Sequence, residues 1–177
     1  MLWFGNGTPE HAVSPTLSLV PHCARSFVRA LFYDGPRMTQ PDDAALAEIL
    51  RTTRTIALVG WSPNPDRASH RVARFLAERG YRVIPVNPGQ AGQVALGETV
   101  RASLAEISEP VDMVDIFRNS DAVLPLVQEA LAALPGLKTI WMQLGVENAE
   151  ATVLAEARGL QVVQNRCPAV DIPRLGL

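Results

Sequence analysis

The sequence predicts an α/β fold: a Rossmann-like three-layer sandwich in which a five-stranded parallel sheet, in the order 3-2-1-4-5, carries helices on both faces. From residue 55 onward, short β-branched apolar runs alternate with longer amphipathic ones. The short runs are almost continuously apolar, which is typical of strands buried on both faces. The predicted strands are residues 56–59, 82–86, 113–117, 139–142 and 161–163.

Capping signals bound the predicted helices. Asp42 and Asp43 precede a helix over residues 44–50 and place acids at its first turn. A helix over 69–79 has one apolar stripe, and Gly80 follows it, where a left-handed residue ends many helices. Further helices are predicted over 121–134 and 147–158, with a single short turn at 104–107.

Composition excludes several classes of protein. The chain has 177 residues, of which 47% are hydrophobic and 19% charged, and its formal net charge is -2. These values predict one soluble globular domain with no electrostatic preference for nucleic acid or for an anionic membrane. Two cysteines are too few for a disulfide framework, and no apolar run approaches the ~20 residues of a membrane-spanning helix. We expect a cytoplasmic protein with neither a nucleic-acid nor a membrane partner.

The first 37 residues differ from the rest. Prolines at positions 9, 15, 21 and 36 interrupt every short apolar run, so no helical or strand period persists. We interpret residues 1–37 as a disordered or mis-assigned N-terminal extension and residues 38–177, beginning at Met38, as the folded domain. An organelle transit peptide is the alternative, because the extension carries three arginines and only two acids.

The loop after the first strand is the first candidate site. Ligands of such sheets bind at the carboxyl ends of the strands, where consecutive strands leave the first one in opposite directions. Gly60 permits a tight turn there, and Ser62 and Asn64 offer hydrogen-bonding groups. Pro63 and Pro65 stiffen the loop, and Arg67 and Arg71 carry positive charge. A helix start follows directly, so the segment is suited to a diphosphate.

The same loop argues against NAD. A dinucleotide fingerprint needs G-x-G-x-x-G, and here only Gly60 is present, with Ser62 in place of the second glycine. NAD-binding chains also usually end the second strand on Asp or Glu, whereas this chain has Asn87. An NAD(P)-dependent oxidoreductase is therefore retained only as an alternative.

Five motifs together resemble those of small CoA-binding proteins related to the N-terminal domain of the succinyl-CoA synthetase alpha subunit, over about residues 45–175. The motifs are Ala57-Leu58-Val59-Gly60 with Ser62-Pro63-Asn64-Pro65, Val83-Ile84-Pro85-Val86-Asn87-Pro88, Val111-Asp112-Met113-Val114-Asp115-Ile116-Phe117-Arg118, Trp141-Met142-Gln143-Leu144-Gly145 and Asn165-Arg166-Cys167-Pro168. Their order along the chain makes the resemblance specific.

The resemblance implies that coenzyme A lies across the carboxyl edge of the sheet. It implies a diphosphate at residues 62–65, a nucleotide end near residues 87–90 and a pantetheine arm passing residues 116–119. A lysine that commonly follows the second strand in the synthetases is replaced by Gly89-Gln90, and arginines are candidate substitutes. The residues predicted to bind CoA are Gly60, Ser62, Pro63, Asn64, Pro65, Arg67, Arg71, Asn87, Pro88, Gly89, Gln90, Ile116, Phe117, Arg118, Asn119 and Gln143.

Four other polar residues have competing interpretations. Gln143 ends the fourth strand and either contacts ligand or belongs to a simple turn. Cys167 follows an arginine that would lower its thiol pKa, although a free cysteine is more often a small buried hydrophobe. Asp112 and Asp115 fall on opposite faces of one strand, so we expect structural hydrogen bonds rather than paired acid-base catalysis.

These observations predict a stand-alone binding module for CoA or an acyl-CoA, without catalytic apparatus of its own. In the synthetases that this chain resembles, the phosphorylated histidine lies outside this domain, and a separate subunit grasps the nucleotide. A CoA-binding subunit of an acyl-CoA ligase is thus a further alternative. The sequence identifies no protein partner, and it predicts no metal site.

Overall fold

The structure is a computed structural model that describes residues 40–177. The predicted extension, residues 1–37, lies outside the described residues. The strands are β1 (Thr55–Val59), β2 (Arg82–Val86), β3 (Val94–Ala95), β4 (Glu98–Thr99), β5 (Met113–Ile116), β6 (Thr139–Met142) and β7 (Gln161–Val163). The helices are α1 (Asp43–Thr52), α2 (Ala68–Glu78), α3 (Val123–Ala133), α4 (Ala149–Glu156) and α5 (Pro168–Arg174).

Five strands form one parallel sheet in the order β2-β1-β5-β6-β7, and β3 and β4 form a separate antiparallel hairpin. The predicted parallel sheet is confirmed, but its predicted order is wrong. Counted along the five parallel strands, the order is 2-1-3-4-5 and not 3-2-1-4-5. Strands β2 and β5 therefore lie on opposite sides of β1, which puts the switch point at the carboxyl end of β1.

Two sets of hydrogen bonds explain this order. The outer edge of β2 is occupied by Arg101, whose N–H donates to the Pro85 carbonyl (2.9 Å) and whose carbonyl accepts from the Asn87 N–H (2.9 Å). On the other side, the Asp112 carboxylate accepts from the N–H groups of Arg54 (2.9 Å) and Thr55 (3.0 Å). Asp112 thus fixes the start of β5 beside the start of β1, and its predicted structural role is confirmed.

Helices cover both faces of the sheet, as predicted. The side chains of β1 alternate, so Ile56 and Leu58 pack in one apolar cluster and Ala57 and Val59 in another. The first cluster contains buried residues of α1, α2 and α5, and the second contains those of α3 and α4. Both clusters are almost entirely inaccessible to solvent. The three layers of the predicted sandwich are therefore present.

Capping residues set where several helices begin and end. Asp42 Oδ1 accepts from the Ala45 N–H (2.8 Å) at the start of α1, and Gly80 adopts φ +90° after α2. Helix α4 begins two residues later than predicted because Asn148 Oδ1 accepts from the Ala151 N–H (2.8 Å). Helix α5 and the β3–β4 hairpin were not predicted. Among residues 40–177, no helix is long and apolar enough to cross a membrane.

Candidate functional site

A cleft of about 330 Å³ lies at the carboxyl ends of β1 and β2, on the face covered by α3. Its walls are mostly apolar, and polar groups are few. The lining residues are Val59, Gly60, Val86, Asn87, Pro88, Ala102, Ser103, Leu104, Arg118, Ala122, Pro125, Leu126 and Glu129. The cleft therefore coincides with the switch point of the sheet.

Gly60 lines the cleft, and this position requires glycine for two reasons. Its φ is +91°, a conformation that side chains disfavour. A Cβ at this position would also lie 3.0 Å from the Phe117 carbonyl oxygen and 3.2 Å from Arg118 Cδ. The backbone after β1 consequently approaches the backbone after β5 more closely than any other residue would allow.

The loop between Gly60 and α2 is held by its own hydrogen bonds. Ser62 Oγ accepts from the Asn64 N–H (3.2 Å), and Asn64 Oδ1 accepts from the Asp66 N–H (2.9 Å). Arg71 donates to the Asp66 carbonyl (2.5 Å), so its guanidinium lies against the loop. No side chain caps the first turn of α2. The His70 N–H already donates to the Arg67 carbonyl (3.1 Å), so Ala68 and Ser69 carry the N–H groups that an anion would bind at the positive end of the helix dipole.

Asn87 joins this loop to the turn that follows β2. Its Nδ2 donates to the Trp61 carbonyl (2.6 Å), and its Oδ1 accepts from the Gly89 N–H (2.9 Å). Both hydrogen-bonding ends of the amide are thus used to fix the backbone around the cleft. Asn87 stands where an NAD-binding chain would carry an acid, and here it acts first as a bridge between two loops.

Trp61 and His70 contact each other and hold the backbone of the loop. Trp61 is buried, and its ring stacks on the His70 ring with centroids 6.2 Å apart. His70 Nδ1 lies 3.1 Å from the Ser62 carbonyl oxygen, so the ring also holds the loop backbone. This geometry gives His70 a structural role in holding the loop.

The predicted residues do not all meet in one place. Gly60, Asn87, Pro88 and Arg118 line the cleft, whereas the segment of residues 62–65 is exposed or half-buried outside it. The remaining predicted residues outside the cleft lining are Arg67, Arg71, Gly89, Gln90, Ile116, Phe117, Asn119 and Gln143. Of these, Ile116 is fully buried in the core, so its side chain is unavailable to a ligand.

Gln143 lies at the carboxyl end of β6, in the half of the sheet edge that does not line the cleft. Its side chain is buried, and Nε2 donates to both carboxylate oxygens of Asp115, at 2.9 and 3.0 Å. Asp115 is fully buried in β5, and this burial raises the pKa of its carboxyl to about 7, against a smaller lowering by the Gln143 hydrogen bond. The amide of Gln143 therefore hydrogen-bonds a buried carboxyl group in the core.

Cys167 follows β7 and lies in the same half of the carboxyl edge as Gln143. Burial is the main cause that raises its thiol pKa above the ordinary value, opposite to the effect expected from the neighbouring arginine. The guanidinium of that arginine, Arg166, lies 3.1 Å from Asp171 Oδ1 and is already paired. The structure thus supports the interpretation of Cys167 as a small buried hydrophobe.

The wall of the cleft that faces the strand ends was not predicted from the sequence. That wall combines residues 102–104 with Pro125, Leu126 and Glu129 from α3. Leu126 and Glu129 are three residues apart and share one helix face, which was the available signal. Only the strand order reveals that this face meets the segment after β4. Among residues 40–177, no group of three or more His, Cys, Asp or Glu side chains could hold a metal ion.

Known proteins share this architecture. The chain is similar to YneT of Bacillus subtilis (strain 168), an uncharacterized protein, with 37% identity over 130 residues, or 73% of this chain and 93% of YneT. It is also similar to the structure of cell-free ID.343 from Thermus thermophilus, with 38% identity, a TM-score of 0.72 and coverage of 76% of this chain and 99% of that one.

A more distant likeness connects the chain to a larger enzyme. The dinucleotide-forming acetyl-coenzyme A synthetase 1 of Ca. Korarchaeum cryptofilum is 25% identical, with a TM-score of 0.52 over 61% of this chain and 25% of the synthetase. The family model described as a CoA binding domain matches residues 54–173, which is more than half of the chain and includes the cleft. The chain therefore belongs to the CoA binding domain family.

Proposed function

We propose that this protein binds coenzyme A, or an acyl-CoA, at the carboxyl edge of its sheet and acts as a binding module without catalysis of its own. One observation carries the proposal: in a member of the CoA binding domain family, a largely apolar cleft of about 330 Å³ opens at the switch point of the sheet. Such clefts are the usual ligand sites of open α/β sheets.

The cleft and the loop suit different parts of the ligand. Val59, Val86 and Leu126 give the cleft apolar walls, which favour a flat, uncharged group such as a nucleoside base. The diphosphate is proposed to lie by residues 62–65, where the uncapped first turn of α2 supplies N–H groups and the dipole supplies partial positive charge. The pantetheine arm is proposed to leave past Phe117 and Asn119.

Arginines are proposed to take the place of the missing lysine. Arg118 lines the cleft beside Gly60, and Arg67 precedes the first turn of α2. Neither guanidinium forms an ion pair with a described acid. Both are therefore free to approach phosphate, which guanidinium groups bind through paired N–H donors.

A ligase subunit is the second candidate. The likeness to the acetyl-coenzyme A synthetase favours it, although this chain spans only 25% of that enzyme. Such a subunit would need a nucleotide-grasping partner, and co-purification of that partner with the native protein would support this candidate. An NAD(P)-dependent oxidoreductase is not favoured, because the family match concerns CoA and because Asn87 bridges two loops where a ribose-binding acid would stand.

Thermal unfolding with CoA, acetyl-CoA, dephospho-CoA, NAD and NADP tests the proposal. A ligand at 100 times its dissociation constant stabilises the native state by about 2.7 kcal/mol. CoA and acetyl-CoA are expected to raise the melting temperature and NAD and NADP to leave it unchanged. Dephospho-CoA lacks the 3′-phosphate and is expected to stabilise the protein less than CoA does, because arginines are proposed to replace the phosphate-binding lysine that is missing after β2. Stabilisation by NAD and not by CoA would refute the proposal.

A further inference from the structure

One acidic side chain, that of Glu129, is among the few polar groups that line the mostly apolar cleft. Glu129, in the second turn of α3, is half-buried and forms part of the wall opposite the strand ends. Its Oε1 accepts from the Ala105 N–H (3.2 Å), and no other hydrogen bond or ion pair to this carboxylate is found among the described residues. Its remaining acceptor capacity is therefore available to a ligand.

Glu129 and Arg118 give the cleft lining one acidic and one basic side chain, each beside a different part of the backbone. Glu129 lies beside the short turn Leu104–Glu106, whereas Arg118 lies beside Gly60, where its Cδ would be 3.2 Å from an added Cβ. A carboxylate repels phosphate and favours a hydrogen-bond donor, and a guanidinium does the reverse. This charge difference favours the phosphates of a nucleotide ligand beside Arg118 and its base beside Glu129.

We infer that Glu129 is a specificity-determining residue that accepts a hydrogen bond from the exocyclic amino group of an adenine base. This inference rests on the proposed CoA binding and adds to it the orientation of the ligand and the base that is selected. Adenine offers an amino donor on its edge, and the apolar walls formed by Pro125 and Leu126 suit its ring. A base without that donor leaves the carboxylate desolvated and unpaired, which is costly.

Calorimetric titration of the full chain with two ligands tests the inference. The ligands are CoA and a CoA analogue with unsubstituted purine in place of adenine, which lacks only the amino group. The wild-type protein is expected to bind CoA about tenfold more tightly than the purine analogue, the effect of one hydrogen bond to a charged group. This comparison uses the wild-type chain alone, so it does not depend on a variant that folds.

The variant Glu129→Gln separates recognition from structure. Its amide oxygen still accepts from the Ala105 N–H, so its melting temperature should match the wild type. Its NH₂ group would face the base and cannot accept from adenine, so CoA is expected to bind about tenfold more weakly while the purine analogue is unaffected. Gln128→Ala, next to Glu129 but outside the cleft lining, is the control and should preserve the preference.

The outcomes are distinct. If wild-type protein binds CoA and the purine analogue equally, the role of Glu129 is refuted while CoA binding stands. If CoA binds more tightly than the analogue and Glu129→Gln keeps that difference, the base is selected elsewhere, and the inference is again refuted. If neither ligand binds, the proposed function fails together with the inference.

Discussion

Amide side chains stand at strand ends in both halves of the carboxyl edge, but their surroundings differ. After β2, Asn87 is half-buried, joins two loops and borders the cleft. After β6, Gln143 is 5% exposed and donates to Asp115, which is 0% exposed. The amide after β2 therefore lies at the rim of the cleft, whereas the amide after β6 is buried against a carboxyl group.

This difference teaches that a polar residue at a strand end is not by itself a binding residue. What separates Asn87 from Gln143 is the partner of each amide. Asn87 holds backbone groups at the rim of the cleft, whereas Gln143 compensates a carboxyl group that has lost its water. Substitutions in the first half should therefore change ligand affinity, and substitutions in the second half should change stability.

The largest effect is expected from Gly60→Ala. The added Cβ would meet the Phe117 carbonyl oxygen at 3.0 Å in a residue with φ +91°. Strain and overpacking together should cost about 3 kcal/mol of unfolding free energy and abolish CoA binding. Urea denaturation and calorimetric titration measure the two effects.

Gly80→Ala is the matched control for that substitution. Gly80 has φ +90° but no atom within 4 Å of an added Cβ. Gly80→Ala should cost only the strain of a left-handed backbone, about 1 kcal/mol of unfolding free energy, and leave CoA affinity unchanged. Equal losses of stability in the two variants would show that the close approach of β1 and β5 does not restrict Gly60.

Gln143→Ala should destabilise the protein by about 2 kcal/mol, because it leaves the buried Asp115 carboxyl without its hydrogen-bond donor. CoA affinity should stay within a factor of about two, since the amide contacts no part of the cleft. The same two measurements apply. A large loss of affinity with unchanged stability would place Gln143 in the binding site, as the sequence first indicated.

Asn87→Ala should show the opposite pattern. Loss of its bonds to Trp61 and Gly89 frees both loops at the cleft, so CoA should bind about tenfold more weakly. The stability loss should be about 1 kcal/mol, since the side chain is only half-buried. An unchanged dissociation constant would mean that the bridge between the loops does not matter to the ligand.

Asp115→Asn should change how the free energy of unfolding depends on pH, with little effect below about pH 4, where Asp115 is protonated in both the native and the unfolded state. The pKa of Asp115 is raised from 3.8 to about 7, so the native state holds a proton that the unfolded chain releases. Stability should therefore fall as pH rises from about 4 to about 7 and should not fall further from this group above that range. Asp115→Asn should remove this decline, as measured by urea denaturation across pH. An unaltered pH profile would contradict the buried, protonated state.

Much of the sheet was predictable because buried parallel strands are nearly continuously apolar and the helices carry clear caps. The strand order was not predictable, because it depends on Arg101 occupying the edge of β2 and on Asp112 joining β5 to β1. These are contacts between residues far apart in sequence. No local pattern distinguishes them from ordinary loop residues.

The site was predictable on one side only. Gly60, Asn87 and Arg118 stand at strand ends, so a parallel sheet implies their proximity. Glu129 and Leu126 were missed because they belong to a helix whose approach to the cleft depends on the strand order. Gln143 illustrates the converse: its position at a strand end was correct, and its burial against Asp115 was invisible in the sequence.

The proposal that CoA binds in the cleft, and not beside Gln143, is tested most directly by titrating ¹⁵N-labelled protein with CoA and measuring the amide chemical shifts. We expect shifts to concentrate at Gly60, Asn87, Ser103 and Arg118, which line the cleft, while Gln143 and its neighbours stay unchanged. Shifts centred instead on Gln143 and Cys167, or no shifts at saturating CoA, would contradict it.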